Sequence, residues 1–67
     1  MITKEEFERQ WKESKNEIRE IYIGLASGTL ANSYEYFTDN SDVKFMKLFL
    51  FDHQVAVIYL GDVLKVG

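Results

Sequence analysis

The only histidine of the chain, His53, directly follows Asp52, a pairing that a hydrolytic site would use to orient a general base. With no cysteine present, a nucleophile would have to be one of the serines at 14, 27, 33 or 41. No second histidine or cysteine completes a nucleophile or metal set, so Asp52-His53 reads as a turn. The serines are accounted for by a helix surface, a stop signal and turns. A chain of 67 residues also rarely encloses a cavity of the roughly several hundred cubic ångströms typical of ligand sites. Gly24, Gly28, Gly61 and Gly67 are scattered, and none precedes a Lys-Ser/Thr pair of the kind that cradles phosphate. Neither enzymatic activity, nor a cofactor, nor a small-molecule substrate is expected.

Glu35, Asp39 and Asp42 supply carboxylates, but their spacing matches no calcium loop and the glycine such a loop needs is missing. The same acids have a second use. They form the base-free stretch 27–42, net −3, whereas residues 1–26 are net −1 and residues 43–67 net +1. Interleaved with them is Tyr34-Glu35-Tyr36-Phe37. Tyrosines give large contact area at low entropic cost, and flanking carboxylates steer toward a basic partner. Tyr34, Glu35, Tyr36, Asp39 and Asp42, with Trp11 as a further anchor, are the candidate partner-binding residues. They could stand in for phosphates at the basic groove of a nucleic-acid-handling protein. Direct binding of nucleic acid is disfavoured, because no window carries the basic stripe that phosphates require.

These residues must be positioned by a small set of elements. Thr3-Lys4-Glu5-Glu6 reads as a capping box, with Ile2 and Phe7 as a hydrophobic staple. Phe7, Trp11, Ile18, Ile21, Tyr22 and Leu25 recur at helical spacing, which predicts an amphipathic helix over 4–26, stopped by Ser27-Gly28. Residues 29–38 read as a short helix or irregular segment, with strand composition at 33–38 as the rival. Asp39-Asn40-Ser41-Asp42 reads as a turn. The last third reads as three strands, 43–51, 54–60 and 63–66, with turns at Asp52-His53 and Gly61-Asp62; a buried helix over 42–51 is the rival. The expected fold is a single α+β domain, 1–67: the N-terminal amphipathic helix, the short second element, and a three-stranded antiparallel meander.

The strand 54–60 is apolar on both faces, Val55, Val57 and Tyr59 alternating with Ala56, Ile58 and Leu60. The strand 43–51 likewise sets Phe45, Phe49 and Phe51 against Met46, Leu48 and Leu50. If helices cover one face, three or four large side chains on the other each forgo roughly 1.5–3 kcal/mol of burial, comparable in sum with the stability of a small domain. Phe49, Val55, Val57 and Tyr59 are therefore the candidate oligomer-interface residues.

The function expected from these features is a non-enzymatic protein-binding module that regulates or inhibits a larger partner stoichiometrically. The alternative is a homo-oligomer that buries the second sheet face against itself. The partner is thus another protein or a second copy, and not a membrane, since no apolar run reaches the roughly 18–20 residues of a spanning segment. The absence of cysteine and an acidic N-terminus make the expected location the cytoplasm.

Overall fold

A computed structural model describes residues 2–24, 28–38 and 44–67. It opens with helix α1, Lys4–Glu13. Thr3 Oγ1 accepts the Glu6 N–H at 3.1 Å, the first half of the expected capping box. The second half is diverted, because the Glu6 carboxylate turns to Arg9 and Gln10 instead of the Thr3 backbone. Ile2 and Phe7 are both buried on the core side.

The helix is half as long as the sequence periodicity suggests. After Trp11 the seam positions fall on Ser14 and Lys15, which offer nothing to hold a further turn on the core. Arg19 then closes the helix from outside, its Nε donating to Trp11 O at 2.9 Å and its second guanidine nitrogen to Ser14 O at 3.1 Å. Residues Arg19–Ile23 form strand β1. Their β-branched Ile21 and Ile23 suit a pleated surface, and Ile21 is completely buried there. Gly24, at a φ of 61°, ends the strand in the left-handed region.

Thr29–Ala31 forms strand β2 and Ser33–Thr38 strand β3, so the short-helix reading of 29–38 is corrected. The period is two: Tyr34 and Tyr36 point to the helix side, while Glu35 and Phe37 point away. The segment bends at Asn32, whose N–H still bonds Phe49 O at 2.8 Å. One stretch of chain thereby serves two sheets, the usual device for making a corner.

Strands β4, Lys44–Leu50, and β5, His53–Tyr59, form the hairpin expected from their composition, and the rival buried helix over 42–51 is not adopted by the described residues 44–50. Its turn lies one residue earlier than Asp52-His53. Leu50 pairs with His53, leaving Phe51 and Asp52 as a two-residue loop with φ of 49° and 69°. The Gly61-Asp62 hairpin is also corrected. Leu60–Asp62 is a 3-10 turn that tucks Leu60 into the core and sends strand β6, Val63–Val66, across to pair with β1 rather than β5.

Among the described residues the result is two antiparallel three-stranded sheets, ordered β2-β1-β6 and β3-β4-β5. The α+β class holds, and a three-stranded antiparallel meander is present, but it is β3-β4-β5, with β3 in the place expected for β6, and a second sheet joins it through the β2–β3 bend. Between them lie Phe7, Ile21, Ala31, Met46, Leu48 and Val63, all fully buried. The helix and the second sheet cover the inner face of β3-β4-β5. No helix among the described residues is long and apolar enough to cross a membrane. The expected stop at Ser27 and the turn 39–42 lie outside the described residues.

Candidate functional site

The tyrosines of the base-free stretch are divided from Glu35 by the pleat of β3. Tyr34 and Tyr36 meet Phe7 and Trp11 under the helix, with Tyr34 edge-on to Phe7 at 5.0 Å and to Trp11 at 4.7 Å between ring centroids. Tyr36 OH donates to Glu8 Oε2 at 3.0 Å. Burial, followed by that hydrogen bond, pushes the Tyr36 phenol well above the ordinary tyrosine range. Burial raises Tyr34 as well, helped by the nearby Glu8 charge. The Arg19 guanidinium lies 4.5 Å from the centre of the Trp11 ring and covers its outer side. Tyr34, Tyr36 and Trp11 thus fasten the helix to the sheet, and each is half-buried.

Glu35 lies on the opposite, outer face, across from Lys47. Asp39 and Asp42 fall outside the described residues. The other residues picked out by the sequence gather on that same outer face. Val55, Val57 and Tyr59 are 44%, 48% and 43% exposed, and Phe49 is half-buried beside them. Their alternation along β5 was legible from period two alone.

The register adds members that the sequence reading had not grouped. Phe37, Phe45 and Tyr59 pair across all three strands, Phe37 stacked on Phe45 at 5.4 Å and Phe45 against Tyr59 at 5.9 Å. The next row is Glu35, Lys47 and Val57. The Lys47 ammonium reaches to 5.3 Å from the Phe37 ring, its stem lying along the apolar surface. At the hairpin tip the ring of Phe51 is 54% exposed. Cross-strand register was the missing signal, because aromatics 8 and 14 residues apart in sequence become neighbours only once β3 is known to be a strand.

A face three strands wide and seven residues long measures roughly 14 by 23 Å, about 330 Å², a size at which an apolar patch is often functional. Its one acid and one base oppose each other, so it is close to neutral.

His53 opens β5, and no hydrogen bond links it to a serine among the described residues. No cluster of three His, Asp or Glu able to hold a metal occurs among them either. Two open grooves flank the helix. One, of about 410 Å³, is lined by Thr3, Lys4, Lys44 and Tyr59; the other, of about 520 Å³, lies between Ser14 and Lys65. Neither contains a histidine or an apposed acid pair. Comparison with family models, with curated proteins and with solved structures returns no match, so the outer face of β3-β4-β5 is identified as the candidate site from this chain's own residues.

Proposed function

We propose that the protein is a non-enzymatic protein-binding module whose contact surface is the outer face of β3-β4-β5, and that it regulates a larger partner by occupying that partner's surface. The observation that carries this reading is the set Val55, Val57 and Tyr59, more than two-fifths exposed on a strand whose other side rests Ala56 and Ile58 against the core. Half-exposed β-branched and aromatic side chains in one continuous row forgo burial that a partner would restore. The Phe37-Phe45-Tyr59 row offers the rigid aromatic area favoured at binding hot spots. Lys47 and Glu35 give the face one charge of each sign, which orients a partner more than it attracts one.

This reading moves the contact away from the acidic tyrosine segment. Tyr34 and Tyr36 are spent on the helix, and of the acids on described residues only Glu35 shares the apolar face. Packing that face against a second copy is weaker support for a homo-oligomer than the exposure suggests. Two such faces would remove roughly 700 Å² together, short of about 1,000 Å² for a specific interface.

The test is photo-crosslinking in the native cell, with a benzophenone side chain placed at Val57 or, as control, at Leu64, which is similarly exposed on β6. A discrete adduct from position 57 to a protein other than this chain, absent from position 64, supports the reading. No adduct at 57, an adduct only to a second copy of this chain, or identical adducts at both positions overturns it.

A further inference from the structure

We infer that β5 pairs antiparallel with β5 of a second copy about a two-fold axis at Val57, so that the chain forms a reversible dimer with one continuous six-stranded sheet. This goes beyond the proposed function, because the dimer doubles the outer face without covering it.

The inference begins with the edges. Each three-stranded sheet ends in strands that offer unpaired N–H and C=O groups, and proteins ordinarily guard these with lysine, proline or a covering element. The β6 edge is guarded: Gln10 on α1 accepts the Val66 N–H. Strand β5 ends the other sheet, and among the described residues no strand or helix pairs with its outer edge. Its sequence, His53-Gln54-Val55-Ala56-Val57-Ile58-Tyr59, contains no acid, lysine, arginine or proline. A bulge leaves Val55 without its own partner on β4, so regular pairing with β4 runs from Ala56 to Tyr59, while the exposed row along this edge runs from Val55 to Tyr59.

That stretch is self-complementary. An axis at Val57 sets it against the partner's Val57 and sets Val55 against the partner's Tyr59, so the three exposed large hydrophobic side chains of β5 gain β-branched or aromatic neighbours of the kind that stabilise antiparallel sheets. Charge permits the same arrangement. Lys47 lies opposite Val57 on β4, so the two lysines flank the axis three strand spacings apart, roughly 14 Å, beyond the screening length of about 8 Å at physiological salt. Each also has Glu35 beside it. An edge contact of this size predicts a weak, concentration-dependent dimer, not an obligate one.

Two measurements test it on the full chain. Sedimentation equilibrium should show the mass doubling as concentration rises, with Val57→Lys held at monomer mass because it opposes two ammonium groups at the axis, and with Leu64→Lys dimerising like the parent. Disulfide trapping is also direct, because the chain has no cysteine. Under mild oxidation Val57→Cys should form a covalent dimer at least tenfold faster than Leu64→Cys, since residues facing each other across antiparallel strands bring their Cβ atoms within bridging range. A parent that stays monomeric at all concentrations, a Val57→Lys protein that still dimerises, or equal trapping rates at 57 and 64 would overturn the pairing. A monomer that still gives a photo-adduct from position 57 would overturn the dimer and leave the binding function standing.

Discussion

Gln10 Oε1 accepts the Val66 N–H at 2.8 Å, tying the middle of the helix to the penultimate residue of the chain. The same amide donates through Nε2 to Glu6 Oε1 at 3.2 Å. Glu6 in turn is gripped by Arg9, and that hydrogen bond, with Gln10's, holds its carboxyl down at about 2. An acceptor thus remains charged at neutral pH to orient the glutamine. The arrangement keeps the helix on the β6 side of the molecule and satisfies a strand-edge donor at once.

Gln10→Ala leaves the Val66 N–H without its partner while removing little apolar contact. The expected loss is about 1–2 kcal/mol, read as a lower urea midpoint with unchanged slope. Gln10→Glu keeps an acceptor for Val66 but sets a second carboxylate beside Glu6, so its loss should shrink as added salt screens the pair. A neutral Gln10→Ala would mean that water replaces the amide without cost.

Arg19 works at the other end of the helix, bonding two carbonyls while lying against Trp11. Arg19→Ala should cost about 1–2 kcal/mol and shift the Trp11 emission to longer wavelength as water reaches the ring. Arg19→Lys should recover less than half, because an ammonium cannot stack flat and bond both carbonyls. Emission unchanged in Arg19→Ala would show that the guanidinium does not shield the indole.

How far the fold was legible depended on whether the deciding contacts were local. Thr3 and Glu6 lie within one turn, and the cap forms as their spacing implies. The alternation in β5 needs only the two faces of one strand. The helix end was not legible, because Ile18, Ile21 and Tyr22 satisfy helical spacing as well as strand composition; what decides is β6, more than 40 residues on, where Val66 pairs with Ile21. The same error hid the path of β6, which had no partner but β5 once β1 was counted as helix. At the site, Val55, Val57 and Tyr59 could be found by period, while Phe37 joined them only through its pairing with Phe45.

The Tyr36 phenol is held above the ordinary value of 10.0 by burial and by Glu8. A raised value means the neutral form is favoured in the folded state, so this contribution is complete below about pH 10 and is lost as pH rises through that range. Urea midpoints from about pH 9 to about pH 11 should therefore fall in the parent and fall less steeply in Tyr36→Phe, which has no proton to lose. Parallel curves would place the alkaline sensitivity in another group.

Phe51 and Asp52 both adopt positive φ, 49° and 69°, in a two-residue hairpin whose strands' twist calls for such a turn. A phenylalanine there is costly, and its ring is 54% exposed, so burial returns little of the cost. The turn is held instead by the Phe51 N–H, which donates to Asn32 Oδ1 at 3.0 Å, a bond that any side chain at 51 would retain. Phe51→Asn combined with Asp52→Gly, the pair that hairpins of this length prefer, should raise stability by about 1 kcal/mol in urea unfolding. If Phe51 belongs to the proposed contact surface, the stabilised variant should also lose photo-adduct yield at position 57. If stability rises and adduct yield holds, Phe51 lies outside the contact surface; if stability falls, the ring makes a stabilising contact across the hairpin tip.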